Sequence, residues 1–401
     1  MKTETLKVMA AGHICLDITP VFSPDNKGTF SDIFSPGKLI NVGDAVLSTG
    51  GAVANTGLAM ARLGVDVLLN GKVGDDAIGE LIRNCVGPGR ADSLKTVSGQ
   101  GSSYSIVLAM PGVDRIFLHN PGTNDTFTAD DIDYEALKNC RLFHFGYPTL
   151  MKKFYENQGD ELAKMFQRVK KTGVVTSLDV TPPDPQSESG RVDWAAILRK
   201  TLPYVDIFLP SIEEIAFMLD RDLFEKRKAQ SGGKDPVFSY TAEDCSGLSE
   251  KLIAMGAAAA AIKNGIRGYY LRTADKKRMG TVGKALGRNT DGWARRELWA
   301  GSYKADKFGS ATGAGDATIA GFLTALLKGL GPVECLQVAN TVGWQNVREV
   351  DAISGIEDWP HTLTMARDKS RPRNTLEIND RGWRYQPDDQ IFYGPADSGS
   401  V

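Results

Sequence analysis

The chain has 401 residues, 42% of them apolar, enough to bury a large core as one big domain or two smaller ones. Its formal net charge of −2 argues against nucleic acid or an acidic membrane as partner. No apolar run reaches the roughly 18 residues that a membrane span needs, and Met1 to Leu6 lacks the apolar core of a signal peptide, so a cytoplasmic location is expected.

Five dispersed cysteines (Cys15, Cys85, Cys140, Cys245, Cys335), none in a CxxC spacing, read as buried free thiols. The histidines (His13, His119, His144, His361) are equally scattered, which argues against a His/Cys metal site and a Ser-His-Asp arrangement.

Residues 5–12 form a short apolar run ending in glycine, which predicts a buried strand. Asp17 follows just past its carboxyl end, the edge where open α/β sheets collect ligands, although a turn aspartate fits the same position. Residues 23–48 alternate polar and apolar character between Pro24, Gly28, Pro36, Gly37 and Gly43, which suits hairpins outside the main sheet. Gly50-Gly51-Ala52-Val53-Ala54-Asn55 precedes a helix expected from Thr56 to Leu63. The glycine pair permits close backbone approach at the helix start, and Asn55 either hydrogen-bonds a polyol or is a buried capping residue. Val65–Asn70 reads as a strand and Gly71 to Glu80 as a turn into a helix, with Asp75 and Asp76 at cap positions. Residues 103–110 and 115–119 flank Pro111-Gly112-Val113-Asp114 as a hairpin whose outgoing arm carries Arg115, His119, Asn120 and Asn124.

From residue 130, helices at 130–139, 159–172, 193–200 and 212–219 alternate with strands at 142–146, 174–179 and 205–209, a pattern of a parallel sheet covered by helices. The charged, glycine-bearing stretch 220–240 reads as a surface insertion. A helix at 241–255 leads into Ala257–Ile262, then Lys263-Asn264-Gly265-Ile266-Arg267-Gly268 and a strand Tyr269–Arg272; Lys263 at a strand end faces either phosphates or solvent. The stretch Gly309-Ser310-Ala311-Thr312-Gly313-Ala314-Gly315-Asp316 opens an apolar helix at 315–328, with another at 332–347. Unpaired N–H groups and the helix dipole make such a start suitable for an anion such as phosphate. Asp316 there is either a helix cap or a group that meets something other than phosphate. The tail from Trp359 holds Trp383, Tyr385, Phe392 and Tyr393 and is expected to pack on the body, because disordered tails are poor in aromatics.

No Gly-x-x-x-x-Gly-Lys-Ser/Thr is present and no Gly-x-Gly-x-x-Gly opens the first strand–helix unit, which argues against a P-loop and a dinucleotide dehydrogenase. The constellation instead resembles the PfkB (ribokinase-like) family of carbohydrate kinases. Thr312-Gly313-Ala314-Gly315-Asp316 looks like that family's C-terminal signature. Ala61-Arg62-Leu63-Gly64 through Gly71-Lys72-Val73-Gly74-Asp75-Asp76 and Gly79 looks like its N-terminal one. The order of Asp17, Gly50-Gly51, Asn55, the hairpin, Glu214, Gly265 and Asp316 matches over residues 6–356, leaving 220–240 and the tail after 360 outside.

The resemblance implies an α/β, ribokinase-like three-layer sandwich: a mostly parallel central sheet flanked by helices, plus a small β-sheet lid from segments 17–48 and 100–120. The whole of 1–401 would be one kinase domain with an insertion at 220–240 and an extension at 360–401. It implies an ATP-dependent sugar kinase in which Asp316 is the general base and Gly313, Ala314 and Gly315 form the anion hole. Asp17, Gly50, Gly51, Asn55 and Arg115 would bind the sugar. Lys263, Gly265, Gly268, Thr312, Asn340 and Ala352 would lie along the nucleotide, and Glu214 would hold Mg²⁺ through water. Two departures stand out: Ser211 replaces the amide of the family's Asn-x-x-Glu, and Ser310 stands where many members carry an aspartate, so the likeness does not extend to a monovalent-cation site. The acid that ribokinase uses for ribose falls near Gly146, which disfavours ribose, and the Gly-Gly-Ala-x-x-Asn-Thr form of the helix start at 50–56 looks closer to fructokinase-like and 2-keto-3-deoxygluconate kinase-like members, so fructose or 2-keto-3-deoxygluconate is the acceptor this likeness implies. A nucleoside kinase and a non-catalytic sugar or nucleotide sensor on the same fold remain alternatives. Pairing of exposed lid edges makes a homodimer an expectation.

Overall fold

The computed structural model describes residues 6–23, 33–110 and 116–398. Arg115, the hairpin turn 111–114 and much of the segment 23–48 therefore lie outside the described residues. The strands are β1 (Lys7–Gly12), β2 (Cys15–Pro20), β3 (Ala45–Gly50), β4 (Asp66–Asn70), β5 (Lys72–Gly74), β6 (Lys95–Val97), β7 (Tyr104–Leu108) and β8 (Ile116–Asn120). They continue with β9 (Leu142–Gly146), β10 (Val175–Asp179), β11 (Ile207–Phe208), β12 (Ala259–Lys263), β13 (Tyr269–Thr273), β14 (Glu297–Ala300), β15 (Arg384–Gln386) and β16 (Ile391–Tyr393).

A ten-stranded sheet runs β15-β16-β14-β13-β12-β11-β10-β9-β1-β4. From β4 to β12 every pairing is parallel, and from β12 outward every pairing is antiparallel. The parallel strands are apolar along their length because both faces are covered. Val8 and Ala10 of β1 enter one core, with the helices Ala52–Arg62, Ala314–Leu327 and Pro332–Val347, while Met9 and Ala11 enter the other. The second core is built with the helices Asp160–Lys170, Trp194–Thr201, Ile212–Leu219 and Ala242–Ala254. The result is the expected helix–sheet–helix sandwich.

A smaller sheet, β3-β2-β7-β8, supplies the second architectural part. β2 pairs antiparallel with β3 and parallel with β7, and β7 pairs antiparallel with β8.

Several elements differ from expectation. The helix expected from Thr56 begins at Ala52, with Gly51 as its N-cap at φ 88°, so Asn55 lies inside the helix. The helix expected at 130–139 is a 3-10 turn, Ala129–Asp131, and a short helix, Tyr134–Leu137, each started by its own side-chain cap. Asp76 alone caps the helix Ala77–Val86, accepting the Gly79 N–H at 2.7 Å. The stretch 220–240 is largely a helix, Arg221–Gln230, with no buried residue. Sequence reading missed the helix Lys276–Leu286 and strand β14, and the tail contributes the helix Trp359–Arg367 as well as β15 and β16.

Phe145 of β9 shows how tightly the site's supporting strand is held: its ring packs edge-on to Phe154 at 4.8 Å and lies near Phe127, Phe143 and Phe166. Replacing it by alanine should cost roughly 3–5 kcal/mol, because a fully buried ring leaves a cavity. Urea unfolding of Phe145→Ala checks this, with an unchanged midpoint as the contrary result.

Candidate active site

Parallel strands deliver their carboxyl ends to one edge of the sheet, and the chain reverses its direction of travel across the sheet at β1. β4 lies on one side of β1 and β9 on the other. Ligands of open α/β sheets bind in the crevice this reversal leaves. Here the crevice is a cavity of about 720 Å³ lined by residues that include Asp17, Asn55, Tyr147 and Asp316.

Asp316 is the third residue of the helix Ala314–Leu327, whose N-cap is Gly313 at φ 72°. Its carboxylate does not act as the cap. It accepts from Asn55 Nδ2 at 3.1 Å, from the Thr56 hydroxyl at 3.1 Å and from the Tyr147 hydroxyl at 2.7 Å. These donors come from the helix Ala52–Arg62 and from the residue that follows β9, so two separate elements aim one carboxylate. Tyr147 holds a left-handed backbone, φ 66°, which costs a side-chain-bearing residue on the order of 1 kcal/mol or more and is kept only where packing dictates it. Burial, followed by the neighbouring Asp316 charge, raises its phenol well above the ordinary value, so it stays a donor.

The helix start bears no side-chain cap. Of the amides assigned to an anion hole, that of Ala314 donates to Ala311 O at 3.2 Å in this structure. Gly313 abuts Ala352, since a Cβ at position 313 would fall 2.4 Å from the Ala352 Cβ. Ser310 and Thr312 form a local turn: the Thr312 N–H donates to the Ser310 hydroxyl at 2.9 Å.

Asp17 enters from β2 of the smaller sheet. A Cβ at Gly50 would sit 2.4 Å from its carboxylate, so glycine there makes room for Asp17, and a Cβ at Gly51 would meet His13 O at 2.5 Å. Burial lifts the Asp17 carboxyl to about 6, against hydrogen bonds from Cys15 and Ser105 that lower it. His13 and His119 meet at 3.4 Å between their Nε2 atoms, and Ser105 Oγ is 3.0 Å from His119 Nδ1. Burial depresses both imidazoles, His13 to about 3, so they are neutral. His13 Nδ1 and Asn55 Oδ1 are buried without a hydrogen-bond partner.

Beside Gly315 a charged group has formed that the sequence reading recognised only in part. Lys263, closing β12, donates to Asp179 at the end of β10 across 2.7 Å. Gly315 is adjacent, its virtual Cβ 3.7 Å from the lysine nitrogen. Glu214 shares a reciprocal cap with Ser211: Ser211 N–H donates to Glu214 Oε2 at 2.6 Å, and Glu214 N–H to Ser211 Oγ at 3.2 Å. Burial alone would lower the Lys263 ammonium, but the carboxylates of Asp179 and Glu214 raise it above its ordinary range. Burial raises both carboxyls, with Lys263 opposing.

The remaining expected residues lie toward β13 and β14, away from this cavity. Gly268, at φ 89°, leaves no space for a side chain against Ala300 O, and Asn340 Nδ2 donates to Ala300 O at 3.1 Å. Gly265, φ 51°, begins the turn between them. Gly146 cannot carry an acid at all, because a Cβ there would overlap Ala52 Cβ at 2.1 Å. Sequence reasoning missed Tyr147, Asp179, Thr56 and His13. Asp179 alone had a signal, since it ends a predicted strand at the ligand-bearing edge.

The profile of the pfkB family carbohydrate kinases matches residues 8–359. An uncharacterized sugar kinase of Archaeoglobus fulgidus is 27% identical over 299 residues, 73% of this chain and 96% of its own length. Arabidopsis thaliana ribokinase complexed with ribose and ATP superposes with a TM-score of 0.66 at 20% identity, over 90% of this chain and 99% of that one. An E. coli protein assigned as ribokinase II, solved with ATP and Mg²⁺, gives a TM-score of 0.61 at 21% identity, over 90% and 98%. The structural likeness speaks for the fold, and the profile match for the family. The chain belongs to the PfkB family of carbohydrate kinases and is an ATP-dependent carbohydrate kinase.

Proposed function

We propose that the protein phosphorylates a hydroxyl, by preference a primary one, of a small neutral sugar such as fructose, with Asp316 as general base. The observation that carries this is the orientation of the Asp316 carboxylate by Asn55, Thr56 and Tyr147 at the mouth of an uncapped helix start. Asp316 takes the acceptor's hydroxyl proton as that oxygen bonds to the γ-phosphorus and the bond to the β-bridging oxygen breaks, releasing ADP. The amides of Gly313 to Gly315 and the Lys263 ammonium balance charge on the transferring group, which such reactions need more than covalent help.

Acceptor hydroxyls would meet Asp17, Asn55 Oδ1 and His13 Nδ1, acceptors that are short of partners in the cavity. Among the described residues lining it, none is lysine or arginine. A neutral polyol suits that lining better than 2-keto-3-deoxygluconate, whose carboxylate would face Asp17 and Asp316 without a counter-charge. A second reading, a nucleoside acceptor, is favoured by Phe117 and Phe308, which line the same cavity while 56% and 71% exposed. A base stacking between them would cover both.

Asp179 and Glu214 stand beside the Lys263 ammonium, and Asp316 is near enough to act on both carboxyls, an excess of hard oxygen donors that fits Mg²⁺. Among the described residues no three acidic, histidine or cysteine side chains form a metal cage. The ion would be held by Glu214 through water and by the phosphates, and its chemistry is neutralisation of phosphate charge. Segments of the smaller sheet would cover the sugar and exclude water.

ADP release measured across ketoses, aldoses, aldonates, 2-keto-3-deoxy acids and nucleosides tests the reading. Turnover only with acidic acceptors rejects the neutral-sugar assignment, and no turnover with any acceptor favours the sensor. Asp316→Asn should lower kcat by at least roughly a hundredfold, the usual contribution of a general base, while calorimetry still detects acceptor binding. Near-normal kcat would remove the mechanism. Asp17 offers a pH test. With its carboxyl lifted to about 6, its charged acceptors are present above that pH and are lost as pH falls through it. Acceptor KM should therefore rise below about pH 6, and Asp17→Asn should raise KM and flatten that dependence.

A further inference from the structure

Residues beyond the matched family region, 8–359, include a segment that grips the chain just after β14. Arg373 Nη1 donates to Gly301 O at 2.6 Å and its Nη2 to the Tyr303 hydroxyl at 3.1 Å. Asn374 donates its N–H to Ser302 O at 2.9 Å, and its Nδ2 to Ser302 Oγ at 2.8 Å and to Tyr303 O at 3.1 Å. Lys304 N–H donates back to Pro372 O at 2.9 Å. A short run of chain, 300–304, is thus held by the tail along one side.

On its other side the same run supports groups assigned above to the nucleotide. Ser302 Oγ bonds Ile266 O, and the backbone of 300–302 closes against Gly268, whose virtual Cβ lies 2.1 Å from Ala300 O. Asn340 is anchored by Ala300 O and, at 3.4 Å, by Gly301 O. Arg371 reinforces the clamp by stacking 3.8 Å from the Tyr303 ring centroid and 4.4 Å from that of Trp344.

We propose that the tail segment 371–374, through Arg373 and Asn374, positions the 264–268 turn and Asn340 for the nucleotide. It would set the affinity for ATP without touching the acceptor site. The proposal rests on the placement of the nucleotide along 263–268 and Asn340. Arg373 and Asn374 are positioning residues: the bonds they make end on the 300–304 backbone and side chains, two steps from the ligand.

The test compares Arg373→Ala, Asn374→Ala and Arg373→Lys with the unaltered chain for KM of ATP, KM of the acceptor and kcat. Loss of two or three hydrogen bonds to a backing strand should raise the KM for ATP roughly fivefold to twentyfold, with the acceptor KM within about twofold, and lysine should restore part of the effect. Unchanged KM for ATP in folded variants overturns the proposal, as does a parallel loss of both KM values and thermal stability. Asn340→Ala separates the two levels. A raised KM for ATP there, but not in the tail variants, removes the tail's role alone, whereas no change in any of them removes the nucleotide placement too. In the unaltered protein, hydrogen exchange at the Asn374 amide should slow when a non-hydrolysable ATP analogue binds. Exchange unaffected by saturating analogue counts against the proposal independently of folding of the variants.

Discussion

The arrangement depends on one carboxylate receiving three hydrogen bonds from two other parts of the chain. Asp316 is separated from Asn55 and Thr56 by some 260 residues of sequence, and the helices that carry them, Ala52–Arg62 and Ala314–Leu327, pack side by side on the same face of the sheet. Tyr147 reaches the same atom from the end of β9. A carboxylate held this way has little rotational freedom left, so the cost of ordering it is met during folding. The strained backbone at Tyr147 and the bare contact between Gly146 and Ala52 are what bring the phenol within reach.

Charge is distributed along the crevice with a clear division. Around Asp17 burial works against charge: two uncharged imidazoles, His13 and His119, and an aspartate whose proton is held up to about pH 6. Around Lys263 the ammonium stays charged because Asp179, 2.7 Å away, and Glu214 offset its burial, while burial pushes both of those carboxyls up. A buried ammonium survives only with such compensation.

Much of this was legible in the amino-acid sequence, and the exceptions have physical causes. β10 and the helix Ile212–Leu219 were readable because unbroken apolar runs or clear periodicity sit between strong caps. The start of the helix at Ala52 was not, because Ala-Val-Ala fits a strand as well as a helix and the deciding fact is the positive φ of Gly51. The helix Lys276–Leu286 begins with Lys-Lys-Arg, which masks its apolar face; β14 follows Arg295 and Arg296 and hides a buried Glu297. Asp316, Asp17 and Asn55 could be named because glycine-rich turns and strand ends mark them. Tyr147 and Thr56 could not, since nothing in a tyrosine or a mid-helix threonine announces which distant carboxylate it will meet. The Lys263 partner is the intermediate case: Asp179 stood at a recognisable strand end, but only the sheet order brings β10 within reach of β12.

The outer strands carry one more consequence. β16 pairs with β14, though some ninety residues separate them in the chain, whereas β4, β1 and β9 come from its first 146 residues. During synthesis β4, β1 and β9 can pair while the other edge of the sheet still lacks its neighbour. β14 is then left as an open, pairing-competent border. A chain without residues 391–393 would leave β14 as that border; in the folded chain β16 covers it and β15 takes the edge instead.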